Sequence, residues 1–240
     1  MKTLLDTIDS LKDFISTHHF QGSLDDDFKV DYTYNSNAIE GNSLSLEETR
    51  IVLEGIAIGG KSLKEHFEVI NHAKAFDFIK DLAENKEPLS ENLICQIHSF
   101  ILKNINDKEA GKYRHSLVSV GGFIAAQPYL IRPQMENLIK KYHSLELHPI
   151  LKASYAHLEF VRIHPFIDGN GRTARLLMNL ELLKNGYEAL NILYNDRMQY
   201  YAAIREYSND NNGTQAFDMF LANYMLQTMQ EKKNMIKENQ

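Results

Sequence analysis

Along most of this 240-residue chain, apolar and polar positions recur with the period of a helix. Two start signals are clear. Ser45-Leu46-Glu47-Glu48 and Ser62-Leu63-Lys64-Glu65 each set a hydroxyl three residues ahead of a glutamate, the capping-box spacing. The first predicts a helix running to about Ile58, stopped by Gly59-Gly60. The second predicts a longer helix with Phe67, Ile70, Ala73 and Phe76 on its apolar face. Further helices are expected near 91–103, 133–147, 150–162, 171–185, 196–207 and 215–236, and a periodic segment at 3–16 should pack on the main body. Pro88, Pro133 and Pro149 read as helix starts. One stretch breaks the period. Ser116–Val120 and Phe123–Ala126 are β-prone runs around Gly121-Gly122, a hairpin signal. Such a hairpin either covers the core or offers an edge to which another chain adds a strand, and the pattern leaves both open.

Composition narrows the classes. Hydrophobic content of 43% and charged content of 24% are those of an ordinary globular domain. A net charge of −6 with scattered lysines and arginines argues against nucleic-acid binding. The single cysteine, Cys95, rules out an internal disulfide and reads as a small buried hydrophobe. No apolar run is long enough to span a bilayer, and an acid at Asp6 interrupts any signal-like core. The expectation is a cytoplasmic protein with no membrane partner.

Gly55-Ile56-Ala57-Ile58-Gly59-Gly60-Lys61-Ser62 matches the phosphate-loop pattern letter for letter. That loop needs a buried strand before it, whereas here a capped helix precedes it and no βαβ alternation exists. The better reading is that these glycines end one helix and Ser62 caps the next. The ten histidines show no pair at ligand spacing: His66 and His72 are six apart, and a helix end separates His157 from His164. Structural roles are expected for the former three and no zinc site.

The chemistry concentrates in His164-Pro165-Phe166-Ile167-Asp168-Gly169-Asn170-Gly171-Arg172-Thr173-Ala174-Arg175. Gly169-Asn170-Gly171 tolerates positive φ, so backbone N–H groups can converge at the positive end of the following helix, making an anion site. Arg172 and Arg175 stand three apart, on one face of its first turn, and guanidinium forks suit phosphate oxygens. Asp168 offers one carboxylate at the rim, the usual protein share of a Mg²⁺ site on a polyphosphate. His164 has a pKa suited to taking a proton from a hydroxyl. Phe166 should anchor the loop in the core.

These twelve residues match the Fic-family signature HPFx(D/E)GNGRxxR at every defined position. Glu109–Arg114 resembles the family's segment leading into its flap, and Tyr200-Tyr201 resembles the tyrosine pair that follows the motif in many members. The likeness runs over about residues 32–225. It implies an all-α Fic fold, a helical bundle with a short β-hairpin flap beside the active-site loop. N-terminal helices would occupy 1–60, and the core 61–236, with flap 114–128 and motif 164–175. The resemblance implies transfer of AMP from ATP to a serine, threonine or tyrosine hydroxyl of a protein target. His164 would be the base, and Asp168 would hold Mg²⁺ or Mn²⁺. Gly169, Asn170, Gly171, Arg172 and Arg175 would bind the phosphates, and Tyr201 would line the adenine pocket. Val118, Val120, Phe123 and Ile124 would dock the target by main-chain pairing. A homodimer is one expectation for the assembly.

Ser36-Asn37-Ala38-Ile39-Glu40-Gly41 fits the family's inhibitory pattern (S/T)xxxE(G/N). A short helical segment ending at Gly41 would present Glu40 to Arg175 as a bidentate pair, taking the fork that the γ-phosphate needs. Ser36 belongs to the same element. The same glutamate could instead orient a water that removes AMP from modified targets. Rival readings are transfer of UMP, phosphate or phosphocholine by the same loop, or a catalytically silent nucleotide-binding module.

Overall fold

The computed structural model describes residues 2–18, 24–120, 123–209 and 213–238, together with Met1. In chain order the helices are α1 (Lys2–Thr17), α2 (Leu24–Ile39), α3 (Leu46–Leu53), α4 (Leu63–Glu84), α5 (Glu91–Leu102), α6 (Pro128–Ser144), α7 (Pro149–Ile163), α8 (Asn170–Lys184), α9 (Arg197–Asn209) and α10 (Gln215–Glu238), with a 3₁₀ turn at Tyr194–Asp196. Both capping boxes form: Ser45 with Glu48 opens α3, and Ser62 with Glu65 opens α4.

The bundle is organised around α8. From Asn170 to Leu182 it is buried on nearly every side, as a helix at the centre of a bundle must be. α7, α4 and α5 pack on it, α2 lies on α4 and touches α8, and α1 lies along α10. Ala174, Leu177 and Leu180 join Phe160 and Ile163 of α7 in one core with Ile79, Ile94 and Ile97. Met178 and Leu182 face a second core with Leu158, Phe217, Leu221 and Leu5. The loop between α7 and α8 is therefore held by the two most enclosed helices in the molecule. Among the described residues, no helix is long and apolar enough to cross a membrane.

Several boundaries depart from the sequence pattern. The helix expected to reach Ile58 ends at Leu53, because Gly55 adopts φ +91° and the Ile56 N–H bonds back to Ile51. Gly55–Ser62 then forms the α3–α4 connection, with no strand before it, and Lys61 Nζ donates to the Ser43 carbonyl. α6 starts five residues before Pro133, with Pro128 in its first turn and Pro133 inside the helix. A proline there withholds a donor from the Tyr129 carbonyl, on a residue that faces solvent. Pro88 lies ahead of the N-cap Ser90, whose Oγ accepts from the Leu93 N–H. The segment before Glu40 is no short helix but the end of the 16-residue α2. Its acidic start, Leu24-Asp25-Asp26-Asp27, hides the helical period while suiting the positive end of a helix.

Ser119–Val120 (β1) pairs antiparallel with Phe123–Ile124 (β2), Ser119 opposite Ile124. The expected turn residues, Gly121 and Gly122, lie outside the described residues, as do the side chains of Val120, Phe123 and Ile124.

Besides His98, two histidines are wholly buried in this scaffold. His72 stands edge-on to Tyr32, with Nδ1 near Thr33 Oγ1, and His157 stacks on Phe217 with Nε2 against the Tyr200 hydroxyl. Burial, reinforced by the Arg175 charge, lowers both, His157 to about 3. The unfolded chain binds these protons near pH 6.5, and the native one refuses them. Stability should therefore fall as pH drops below about 6.5. Urea midpoints measured at neutral and mildly acidic pH check this, and a midpoint that does not move would contradict it.

Candidate functional site

The loop begins with a helix stop. His164 ends α7 in the left-handed region, φ 51°, while its N–H bonds the Phe160 carbonyl. That conformation turns the chain sharply at the residue expected to act as base. Phe166 drops into the core, fully buried and stacked face to face on His98 at 3.6 Å. Gly169 then precedes α8 at φ +76°, and a Cβ there would collide with Ile101. Asn170 braces the turn: its side chain accepts from the Phe166 N–H at 3.0 Å and donates to the Phe166 carbonyl at 2.8 Å. The Asn170 side chain is thus turned into the loop. For an anion, residue 170 would offer its backbone N–H.

The two arginines are both buried but differently held. Arg175 is 1% exposed. Its Nε donates to Ser36 Oγ at 3.0 Å, Nη2 to the Ser36 carbonyl at 2.7 Å and to Glu40 Oε1 at 2.8 Å, and Nη1 reaches the Tyr200 hydroxyl at 3.4 Å. Burial works against its charge, and the Glu40 carboxylate and Tyr200 more than offset that. Glu40 meets Arg175 through one nitrogen, Nη2, not across the two-pronged fork, because Ser36 takes Nε and Tyr200 takes Nη1. Arg172 is more loosely placed, 3.3 Å from Glu68 Oε1 and 3.4 Å from both Asp168 Oδ1 and Asn37 Oδ1. These are long contacts for a charged donor, and its buried Nε has no partner among the described residues.

Glu40 lies just past the end of α2, and Gly41 follows at φ +94°. A Cβ on Gly171 would collide with the Glu40 carboxylate. The carboxylate therefore rests on the glycine turn at the α8 N-terminus, where backbone amides and the helix dipole favour an anion. Tyr201 donates to the Ile39 carbonyl at 3.0 Å and so ties down the residue before Glu40.

Asp168 sits at the rim, its side chain 49% exposed, with Oδ1 accepting from the Gly169 N–H at 2.6 Å and Lys64 3.9 Å from Oδ2. Among the described residues no group of three or more acids, histidines or cysteines could cage a metal alone. A single half-exposed carboxylate beside an anion cradle fits Mg²⁺ or Mn²⁺ that takes its remaining ligands from phosphates and water. The His164 imidazole is brought down to about 4 by burial and by Arg114, against the pull of the Val161 main chain, Glu40 and Asp168. It is neutral at physiological pH.

Two bracing residues lie outside the motif. His98 of α5 accepts the Gly111 N–H on Nδ1 at 2.9 Å, so its Nε2 carries the proton and donates to the Asp168 carbonyl at 2.9 Å. Arg114 binds the loop at the other end, with its N–H on the Pro165 carbonyl at 2.9 Å and Nε on the His164 carbonyl at 2.8 Å. His98 gives no motif signal, being one polar residue in an apolar helix. Val118 is half-buried, and its carbonyl accepts from the Ala125 N–H at 3.1 Å, extending the β1–β2 pairing by one bond.

Residues 88–182 match the model of the Fic/DOC family. Over 209 residues the chain is 36% identical to the protein adenylyltransferase Fic of Drosophila persimilis, covering 84% of this chain and 41% of that protein. The chain thus spans about two fifths of the length of this curated relative. A structure of Fic-1 from C. elegans bearing a glutamate-to-glycine change superposes with a TM-score of 0.84 at 30% identity, covering 97% of this chain and 72% of that one. A Fic domain containing signaling protein from Bacteroides thetaiotaomicron gives 0.85 at 28% identity, over 97% and 98%. With the motif loop, the buried arginines and these likenesses in agreement, the chain belongs to the Fic/DOC family.

Proposed function

We propose that this chain transfers AMP from ATP to a serine, threonine or tyrosine hydroxyl of a protein, and that Glu40 holds the transfer in check. One observation carries the reading: an internal carboxylate rests on the glycine turn and on Arg175, where a nucleotide's phosphates would sit. A site that binds its own chain's carboxylate in this manner is built for an anion. The names of the relatives, protein adenylyltransferases, supply the nature of that anion.

In the reaction the target oxygen attacks the α-phosphorus in line. Its bond to phosphorus forms as the bond to the β-phosphate oxygen breaks, and pyrophosphate leaves. His164, neutral, takes the hydroxyl proton. The 169–171 amides and the N-terminus of α8 hold the phosphate oxygens, and Arg172 and Arg175 neutralise the outer ones. Mg²⁺ or Mn²⁺ held by Asp168 would supply further charge neutralisation on the phosphates. β1 and β2 would form the flap along which the target lays an extended segment, with Val118, Val120, Phe123 and Ile124 the residues that would dock it. Tyr201, beside α2 and the cradle, would line the adenine pocket.

While Glu40 stays in place, Arg175 cannot turn a donor to the γ-phosphate, and ATP is left without one of its two guanidinium contacts. Glu40→Gly should raise ATP-dependent labelling by about 10- to 100-fold, the worth of one charged hydrogen bond. Label from the α-phosphate should be retained and label from the γ-phosphate lost; the reverse would make the chain a kinase. His164→Ala in that background should lower the rate by about 10²- to 10⁴-fold. Labelling that persists at the parent rate would remove His164 from the base role.

The pH profile offers a separate check. Because His164 is held down to about 4, its basic form persists well below the usual histidine range. Removing Glu40 deletes a charge that pulls this pKa upward, so the variant should titrate no higher. The acid limb of kcat/KM for the Glu40→Gly protein should therefore lie nearer pH 4 than 6.5. A limb at about 6.5 would mean an exposed imidazole.

A further inference from the structure

Arg114 is 2% exposed and lies outside the motif, at the root of the segment that carries β1 and β2. Its guanidinium spends all three nitrogens on main-chain carbonyls: Nε on His164 at 2.8 Å, Nη1 on Ser116 at 2.6 Å and Nη2 on Ala126 at 2.6 Å. No carboxylate lies within ion-pair distance of it among the described residues, and burial lowers its pKa. Burying a guanidinium without a counter-charge is costly, and a purely structural tie could be built from neutral groups. What only this side chain offers is a rigid planar fork that reaches three separate carbonyls at once.

The three carbonyls are informative. Ser116 and Ala126 are the two roots of the hairpin, one on each side of the β1–β2 pair. The third belongs to His164 itself, whose left-handed backbone fixes where the imidazole departs. One side chain thus connects both hairpin roots to the backbone of the base. A cleft lined by Glu109, Arg114, His115, Ser116 and Ile167 opens at this clamp. His98 braces the opposite half of the loop at Asp168 and ties it to Gly111, and among the described residues no hydrogen bond joins it to Ser116 or Ala126.

We propose that Arg114 is a positioning residue that couples docking of the target polypeptide on the 116–126 hairpin to the orientation of His164. This rests on the adenylyl-transfer reading above. With the fork in place, a target strand paired to the hairpin edge is in register with the base. Without it, hairpin and base drift independently while the phosphate cradle stays whole. His98 divides the labour, holding the half of the loop that meets nucleotide and metal.

The test uses the full chain carrying Glu40→Gly as the enzyme and the Glu40→Gly, His164→Ala chain as the protein acceptor, with α-labelled ATP and magnesium. Arg114→Gln, and Arg114→Lys, which keeps the charge and the aliphatic stem, are compared with His98→Gln. Magnesium-ATP affinity is measured by titration on each variant and reports whether the cradle is folded. Both Arg114 variants should raise KM for the acceptor and lower kcat, together costing about tenfold or more in kcat/KM, with ATP affinity near that of the parent. His98→Gln should weaken ATP first. A parent that labels the acceptor while Arg114→Lys keeps both constants overturns the coupling alone. Arg114 and His98 variants that lose both substrates in parallel also overturn it, since that is the mark of a general brace. A parent that binds ATP and labels nothing overturns the adenylyl-transfer reading, and this inference with it.

Discussion

A buried guanidinium must be answered, and in this molecule the answer to Arg175 organises everything around it. At 1% exposure it cannot turn to water, and α8, on which it stands, is enclosed by α7, α4 and α5. Its donors are met by Ser36, Glu40 and Tyr200, residues from α2, its C-terminal end and α9. Glu40 is therefore first of all a structural counter-ion to Arg175. Removing a counter-charge from a buried arginine is expensive unless another anion arrives. A polyphosphate is such an anion, and on the function proposed above a carboxylate and a nucleotide would compete at one place rather than at two.

Precision at the loop comes from outside it. The twelve-residue motif holds the candidate site residues, yet its backbone is fixed by Phe166 in the core, by His98 at Asp168 and by Arg114 at His164. Asn170, inside the motif, also turns inward to Phe166. Much of what holds the chemistry is thus hydrogen bonding to main-chain carbonyls and amides. Such contacts do not depend on the partner's side chain. The loop can keep its shape while its exposed position, Ile167, varies without cost to the brace.

This division explains what could be read from the sequence. Helix starts were legible where a side chain bonds the backbone locally, as at Ser45 and Ser62. The candidate site residues stand out in the sequence because anion binding demands particular residue types at fixed spacing. Helix ends were harder: Gly55 stops α3 although Gly59-Gly60 is the stronger local signal. The length of α2 was hidden by three consecutive aspartates that suit a helix start but carry no apolar period. His98 and Arg114 were not legible as parts of the site. Their roles rest on partners 70 and 50 residues away, and no local pattern encodes that.

Gly171 carries a consequence for how such a chain can change. The space a methyl group would need there is the space the Glu40 carboxylate fills. On the function proposed above, brake and substrate would share one footprint. Substitutions on the cradle that evict the first would also exclude the second. Mutational routes to a permanently active protein would then run through α2 and its tethers and not through the glycine turn, so that loss of restraint would be easy to reach while its converse, restraint regained on a damaged cradle, would not.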